Sequence, residues 1–429
     1  TVLTDTVTRT MDTIGVALLN HLKKGKEPHG EQKLRLTSAL YDTPLWLEVE
    51  ERVRLLTAEL RDYAGALTAF LRVCGKLPDK VIDKLSGSLV DLKGIKGRLE
   101  AAVENLLFFI SRDEGFCHWF EVRKTGKALT VKLCSSPLEV AESIKSVILD
   151  KFKTVVLTSA TLAVGERFDY LERRTGIALL QRARVTELLL ASPFDYAHQA
   201  FVGIPADIPE PTAPGFEAAL CDLLLRGLEV SQGKAFVLFT SYDLLGRVYN
   251  RLAEPLAKLN LTPLKQGDMN RHLLLSRFRK EKNAVLFGTD SFWEGVDVKG
   301  KALELVVIAR LPFRVPTEPI LQARAEHIAA NGGDPFIEYT VPQAVIKFKQ
   351  GFGRLIRSRD DRGAVLILDS RVLSKNYGKA FLQSLPDAPV TKGVKGEVLA
   401  GMAAFFNPSP SSDVLPKSCS TGNRSGRSR

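Results

Sequence analysis

Two arginines three residues apart stand in the segment Gln350-Gly351-Phe352-Gly353-Arg354-Leu355-Ile356-Arg357. A guanidinium is permanently charged and forked, so a pair of them suits a phosphate chain better than any other side chains. Val341 to Lys349 lead in with an apolar, helix-like pattern. On a helix continued through 357, Arg354 and Arg357 project from one face. An apolar strand pattern, Gly363 to Asp369, follows directly. That layout can deliver arginines to a transferring phosphoryl group. A solvated basic face on a surface helix has the same local pattern. From this segment alone both readings stand.

The elements that must position these arginines repeat along the chain. Strand patterns at 199–204, 235–239, 284–288, 304–309 and 363–369 alternate with helical patterns at 216–230, 242–258, 270–281, 318–330 and 341–357. Such alternation predicts an α/β fold with a parallel sheet covered by helices on both faces. Ligands of these sheets bind beyond the carboxyl ends of the strands. There, Phe236 to Phe239 runs into Thr240-Ser241-Tyr242 at a helix start. Those hydroxyls suit either a phosphate or an ordinary helix cap. Val285 to Phe287 runs into Gly288-Thr289-Asp290-Ser291-Phe292-Trp293-Glu294-Gly295-Val296-Asp297. Asp297 could hold a ribose hydroxyl or an arginine, and Phe292 and Trp293 suit base stacking or buried packing. The proline-rich stretch Leu311 to Pro319 reads as a rigid connection, with Arg314 a plain surface charge. Further upstream, Thr154 to Thr158 reads as a buried strand ending in Ser159-Ala160-Thr161.

Residues 1–110 read as helical, with breaks at Gly75 and Ser86-Gly87-Ser88. Strand patterns at 117–122 and 128–133 and a helix over 137–149 come next. The tail from 408 is rich in Ser, Pro and basic residues and reads as disordered. A length of 429 residues is enough for about three domains. With 45% hydrophobic and 25% charged residues, the composition is ordinary for a globular chain. No apolar run approaches a membrane span, and no secretory pattern is present. Five scattered cysteines form no Cys-x-x-Cys pair or zinc spacing. No metal site is expected from them, and a reduced, cytoplasmic setting fits. The net charge of +11 favours a polyanion, most simply nucleic acid, although high solubility alone needs charge too.

Together these segments resemble the C-terminal half of a superfamily-two DNA helicase of the DinG/XPD-like group. Thr158 to Leu162 is similar to motif III and 236–242 to motif IV. Gly288 to Asp297 is similar to the DinG form of motif V, and Gln350 to Arg357 to motif VI. The likeness extends over residues 110–405. It implies a helical arch-like insertion over 1–110 and the end of a first RecA-like motor domain over 111–200. A second RecA-like domain would occupy 201–407, and a basic tail 408–429. By the same resemblance Arg354 and Arg357 contact ATP phosphates, with Gln350 placing them. Gly295, Asp297 and Gly353 lie at the nucleotide. Ser159 and Thr161 couple its state to the first domain, and Ser241, Thr289 and Ser291 touch the DNA backbone. The implied cofactor is ATP with Mg2+. The implied partner is single-stranded or forked DNA, traversed 5′ to 3′; the sequence does not set the oligomeric state, and a monomer is the expectation.

A complete motor also needs a Walker A loop. None of the six Gly-Lys pairs is followed by Ser or Thr. Leu107 to Ile110 followed by Asp113-Glu114 imitates a Walker B box, but Ser111-Arg112 intervene where the Asp should follow its strand. The chain opens on Thr1 without Met. It is therefore read as a piece of a longer protein that starts after motif II. Most of the ATP and Mg2+ contacts would lie outside it, and an iron–sulfur cluster in the parent stays open. The alternative is a non-enzymatic nucleic-acid-binding module derived from such a motor. A Rossmann enzyme is disfavoured, because no Gly-x-Gly-x-x-Gly follows a strand.

Overall fold

A computed structural model describes residues 2–22, 31–126, 128–293, 302–314 and 317–407. The chain divides into two compact units. One is Thr1–Leu157 with Leu171–Val185 and Val315–Tyr339; the other is Thr158–Tyr170 with Thr186–Arg314 and Thr340–Arg429. In chain order the elements begin with α1 (Val2–Leu22), β1 (Glu31–Arg35), α2 (Ser38–Tyr41), α3 (Pro44–Cys74), α4 (Asp79–Ile110), β2 (Phe116–Thr125), β3 (Ala128–Pro137) and α5 (Ala141–Ile144). They continue through α6 (Asp169–Thr175), α7 (Tyr196–Gln199), β4 (Ala200–Pro205), α8 (Phe216–Val230), β5 (Ala235–Leu238), α9 (Tyr242–Lys258), β6 (Thr262–Lys265), α10 (Arg271–Lys280), β7 (Ala284–Gly288) and α11 (Asp290–Trp293). The last are β8 (Leu305–Ile308), α12 (Pro319–Ala330), α13 (Val341–Phe352), β9 (Gly363–Ile367), α14 (Arg371–Ser374), α15 (Gly378–Leu382), β10 (Val390–Gly393) and α16 (Lys395–Phe406).

The first unit is built on a helical hairpin. Thr43 caps α3 by accepting from the Trp46 amide, and Pro44 sits in the first turn where its missing N–H is harmless. Trp46, Val49, Val53, Leu56, Leu60 and Ala64 recur every three or four residues and bury one stripe. At the hairpin base Ile14, Leu18, Trp46, Val49, Phe109 and Phe120 share a core. Phe120 lies on β2, the middle strand of an antiparallel β1-β2-β3 sheet. Helix α12 belongs to this unit as well. Arg35 pairs with Glu326 at 2.6 Å and Lys33 with Glu318 at 2.7 Å. Arg324 donates to the carbonyls of Pro137 and Leu138.

The second unit holds a seven-stranded, all-parallel sheet in the order β10-β4-β9-β8-β5-β7-β6. The inner strands are buried along their whole length. Alternate side chains serve opposite layers, as the two-residue period of a strand requires. Phe236, Leu238, Val306 and Ile308 pack with α10, α11 and α13. Val237, Phe239, Leu305 and Val307 pack with α8, α9 and α16. This is the α/β sheet with helices on both faces that the alternating pattern predicts.

Several local expectations are corrected. The helix expected over 341–357 ends at Phe352, so Arg354 and Arg357 do not share a helical face. Ser86-Gly87-Ser88 lies inside α4 rather than breaking it. Residues 154–158 form no strand, and Val156 is 80% exposed. The helix over 318–330 exists as α12 but is drawn into the first unit by its ion pairs and by Ala323 against Cys117 and Leu138. Strands β1, β6 and β10 and helix α16 went unpredicted. The tail from 408 lies outside the described residues.

Replacing Phe236, which is fully buried against Phe278, by Ala is expected to destabilise the second unit by about 3–5 kcal/mol. The exposed Val156→Ala is expected to change stability by less than about 0.5 kcal/mol. Urea unfolding of the 429-residue chain checks both, and a large loss on Val156→Ala contradicts the exposed placement.

Candidate functional site

The site is assembled around Trp293, the last residue of α11. Its ring is fully buried, and its indole N–H donates to the Phe239 carbonyl at the end of β5, 3.0 Å away. Phe292 is equally buried, so both aromatics pack rather than stack on a ligand. Gly351 of α13 lies flush against the indole. A Cβ there would sit 2.9 Å from two ring carbons, closer than carbon atoms approach, so position 351 tolerates only hydrogen. This contact seats α13 on the loop that follows β7.

Just past the helix end, Arg354 turns back to that loop. Its Nε and Nη2 donate to the Trp293 carbonyl at 3.1 and 2.8 Å. Arg357 follows in a separate turn. Its backbone amide and that of Ser358 both donate to Asp361 Oδ2 at 2.8 Å. Gln199 completes the turn, its amide donating to the carbonyls of Ser358, Arg359 and Asp361. Both arginines are half-buried. Gln350, one turn before Arg354, keeps a buried Oε1 with no hydrogen-bond partner. Gly353 is exposed and closes the helix by donating to Lys349 O.

The Ser159–Thr161 segment attaches to the same helix. Ser159 and Thr161 lie on an exposed turn, where the Thr161 amide donates to Ser159 Oγ. Two residues on, the buried Ala163 offers its carbonyl to Lys349 Nζ at 3.0 Å. Burial pushes the Lys349 pKa below its ordinary value. Gly165 donates to Ser384 Oγ near α15. Helix α13 thus holds the loop after β7, the arginine turn and the segment after Thr161.

The expected backbone contacts are placed differently. Ser241 caps α9 by accepting from the Leu244 amide, the bland role foreseen for it. Thr289 is 3% exposed, and its amide and hydroxyl both donate to Gln266 Oε1. Gln266 in turn donates to the exposed Tyr242 hydroxyl. Gly295, Asp297 and the Ser291 side chain lie outside the described residues. Upstream, Asp113 of the Walker B look-alike accepts from the Gly115 amide and closes a turn. Among the described residues, no group of three or more His, Cys, Asp or Glu side chains could hold a metal ion, and no helix is long and apolar enough to cross a membrane.

Asp361, Gln199 and Gln266 were not singled out in the sequence. Only the Asp-rich run 360–361 after motif VI carried any signal, and it reads as a surface loop. Their roles come from partners 3–162 residues away.

Residues 224–388 match the family model described as the helicase C-terminal domain. The chain is 41% identical to the ATP-dependent DNA helicase YoaA of Haemophilus influenzae over 278 residues, 65% of this chain and 42% of that protein. It is 35% identical to the ATP-dependent DNA helicase DinG of Photobacterium profundum over 364 residues, 80% of this chain and 51% of that protein. A solved structure of S. tokodaii Xpd4 is similar with a TM-score of 0.49 and 17% identity, covering 90% of this chain and 66% of that one. The chain spans about half the length of the curated relatives it matches. Residues 224–388 thus carry a helicase C-terminal domain, and the chain is similar to ATP-dependent DNA helicases of the DinG and YoaA type.

Proposed function

We propose that this chain is the C-terminal part of an ATP-dependent DNA helicase and supplies one side of its nucleotide cleft. The observation that carries the reading is the anchored arginine turn. Phosphoryl transfer is catalysed chiefly by positioning and by cations placed where charge develops. Arg354 is aligned by the Trp293 carbonyl, and the turn bearing Arg357 is fastened by Asp361 and Gln199. Cations so placed need little reorganisation to meet a γ-phosphate. The buried Oε1 of Gln350 is an acceptor without a protein partner, as suits a group that serves a bound nucleotide. When bound, ATP with Mg2+ supplies the phosphoryl group and its first neutralising charge. The residues of this chain orient and stabilise.

In this reading residues 1–110 form part of the arch, 111–200 the end of the first motor domain and 201–407 the second. The exposed apolar runs support incompleteness of the first. Val156 is 80%, Leu188 72% and Leu190 76% exposed, and exposed strand-like apolar segments normally have a covering partner. A cradle for the phosphates and a metal-binding carboxylate would come from outside these residues, so the 429-residue chain alone hydrolyses ATP negligibly. Gly295 and Asp297 would relay nucleotide state, Ser241 and Ser291 would contact the DNA backbone, and the buried Thr289 would shape the DNA path through Gln266. Movement is 5′ to 3′ on single-stranded or forked DNA in the cytoplasm, by a monomer.

Two measurements test this. In the full-length protein, Arg354→Ala and Arg357→Ala are each expected to lower DNA-stimulated ATP hydrolysis by about 10³-fold or more while leaving the melting temperature within a few degrees of wild type. Wild-type turnover in both variants sinks the finger assignment. For the 429-residue chain, phosphate release with saturating single-stranded DNA is expected to match the enzyme-free background. Sustained turnover there contradicts the division of the site.

A further inference from the structure

The carboxyl edge of the parallel sheet carries a second group of charges that the reading above does not use. Arg310 follows β8, and Asp369-Ser370-Arg371 follow β9. The two chain ends are adjacent, because the Leu368 amide donates to Ile308 O at 2.9 Å. Asp369 is fully buried. Its Oδ1 accepts from Arg371 N and Nε at 3.1 and 2.9 Å. Its Oδ2 accepts from Arg371 Nη2 at 2.6 Å and Leu311 N at 2.8 Å. A carboxylate has about four acceptor positions, so Asp369 is saturated without reaching Arg310.

Arg310 is left without an ion pair of its own. Nη2 donates to Pro211 O at 3.1 Å, and the guanidinium lies 4.9 Å from the centre of the Phe216 ring. Its Nε is buried and makes no hydrogen bond. Ser370 is 7% exposed, and its Oγ is likewise buried without a partner. Burial first, and then the Arg371 charge, push the Arg310 pKa below its ordinary value. The nearby carboxylates of Glu210 and Glu217 are engaged by Lys375 and Arg247. Unsatisfied buried donors on and beside a guanidinium that has no ion pair are what a bound anion relieves.

We propose that Arg310, Ser370 and Arg371 form a notch that takes one backbone phosphate of single-stranded DNA at the carboxyl ends of β8 and β9. The proposal rests on the nucleic-acid reading above. A phosphodiester is favoured over free phosphate because the chain carries a net charge of +11 and because Ser241, whose hydroxyl accepts from Leu244 N and keeps its own proton to donate, stands at the carboxyl end of β5 beside β8.

The test measures binding of a labelled oligothymidine to the 429-residue chain by fluorescence anisotropy over a range of salt. Arg310→Gln is expected to weaken binding and to flatten the slope of log K against log salt by about 0.7, the loss of one single-strand phosphate contact. Arg310→Lys keeps the charge and is expected to keep the slope. Ser370→Ala, a mild change should Arg310→Gln fail to fold, is expected to weaken binding about 2- to 10-fold. Wild-type affinity and slope in both Arg310→Gln and Ser370→Ala overturn the notch while leaving the nucleic-acid reading intact. If the wild-type chain does not bind the oligonucleotide at any salt, that reading falls and the notch with it. Inorganic phosphate, followed by ³¹P NMR, separates the sources. Phosphate binding that Arg310→Gln abolishes, with oligonucleotide binding unchanged, overturns the assignment to a DNA backbone.

Discussion

The seating of Trp293 is the contact on which the candidate site depends. Its indole N–H requires a partner once buried, and the Phe239 carbonyl provides it at 3.0 Å. Its ring requires a flat surface, and the missing side chain of Gly351 provides that. Its own carbonyl then becomes the acceptor that turns Arg354 inward. One residue thus ties the ends of β5 and β7 to α13 and to the first arginine. Any displacement of the loop after β7 must either carry Arg354 with it or break two charge-assisted hydrogen bonds. Such bonds are roughly twice as strong as neutral ones, so moving together is the easier course.

Buried polar groups elsewhere in the second unit do related work on the backbone. Chain leaving a parallel sheet loses its ladder partners, and each unpaired buried amide or carbonyl costs about 1–3 kcal/mol. Asp361 takes two amides of the Arg357 turn, and Gln199 takes three carbonyls. Gln266 holds Thr289, and Asp369 holds Leu311 together with Arg371. None of these four needs to touch a ligand to shape what a ligand meets. They fix where the segments bearing Arg357, Thr289 and Arg310 leave the sheet.

The inner strands were legible in the sequence because burial on both faces demands continuous apolar runs, as in Ala235 to Leu238 and Leu305 to Ile308. Edge strands β6 and β10 were not, because they are only partly buried and their residues, Thr-Pro-Leu-Lys and Val-Thr-Lys-Gly, carry no such run. Leu355 and Ile356 extend the helical period of α13 and suggested a longer helix. They are buried in the core, yet they reach it from a turn past Gly353. Glycine inside α4 misled in the opposite direction, since a penalty of about 1 kcal/mol per Gly does not stop a helix of 32 residues. The arginine pair and the loop after β7 could be picked out by residue type. The direction of Arg354 could not, because it depends on a carbonyl 61 residues away. Asp361, Gln199, Gln266 and Asp369 stayed hidden because nothing in their local sequence announces their partners.

The corrected end of α13 changes how the arginines are held. Two side chains on one exposed helical face would be long, mobile cations, and ordering both would cost about 2 kcal/mol of rotamer entropy each. In the folded chain the Arg354 side chain is already held by the Trp293 carbonyl, and Asp361 holds the backbone of Arg357. A cation held in advance contributes more to a transition state than one that must be gathered. The same helix also holds Ala163 through Lys349, so the segment after Thr161 is tied to the body that carries Arg354. Helix α13 therefore joins the Ser159–Thr161 turn, the loop after β7 and the arginine turn mechanically.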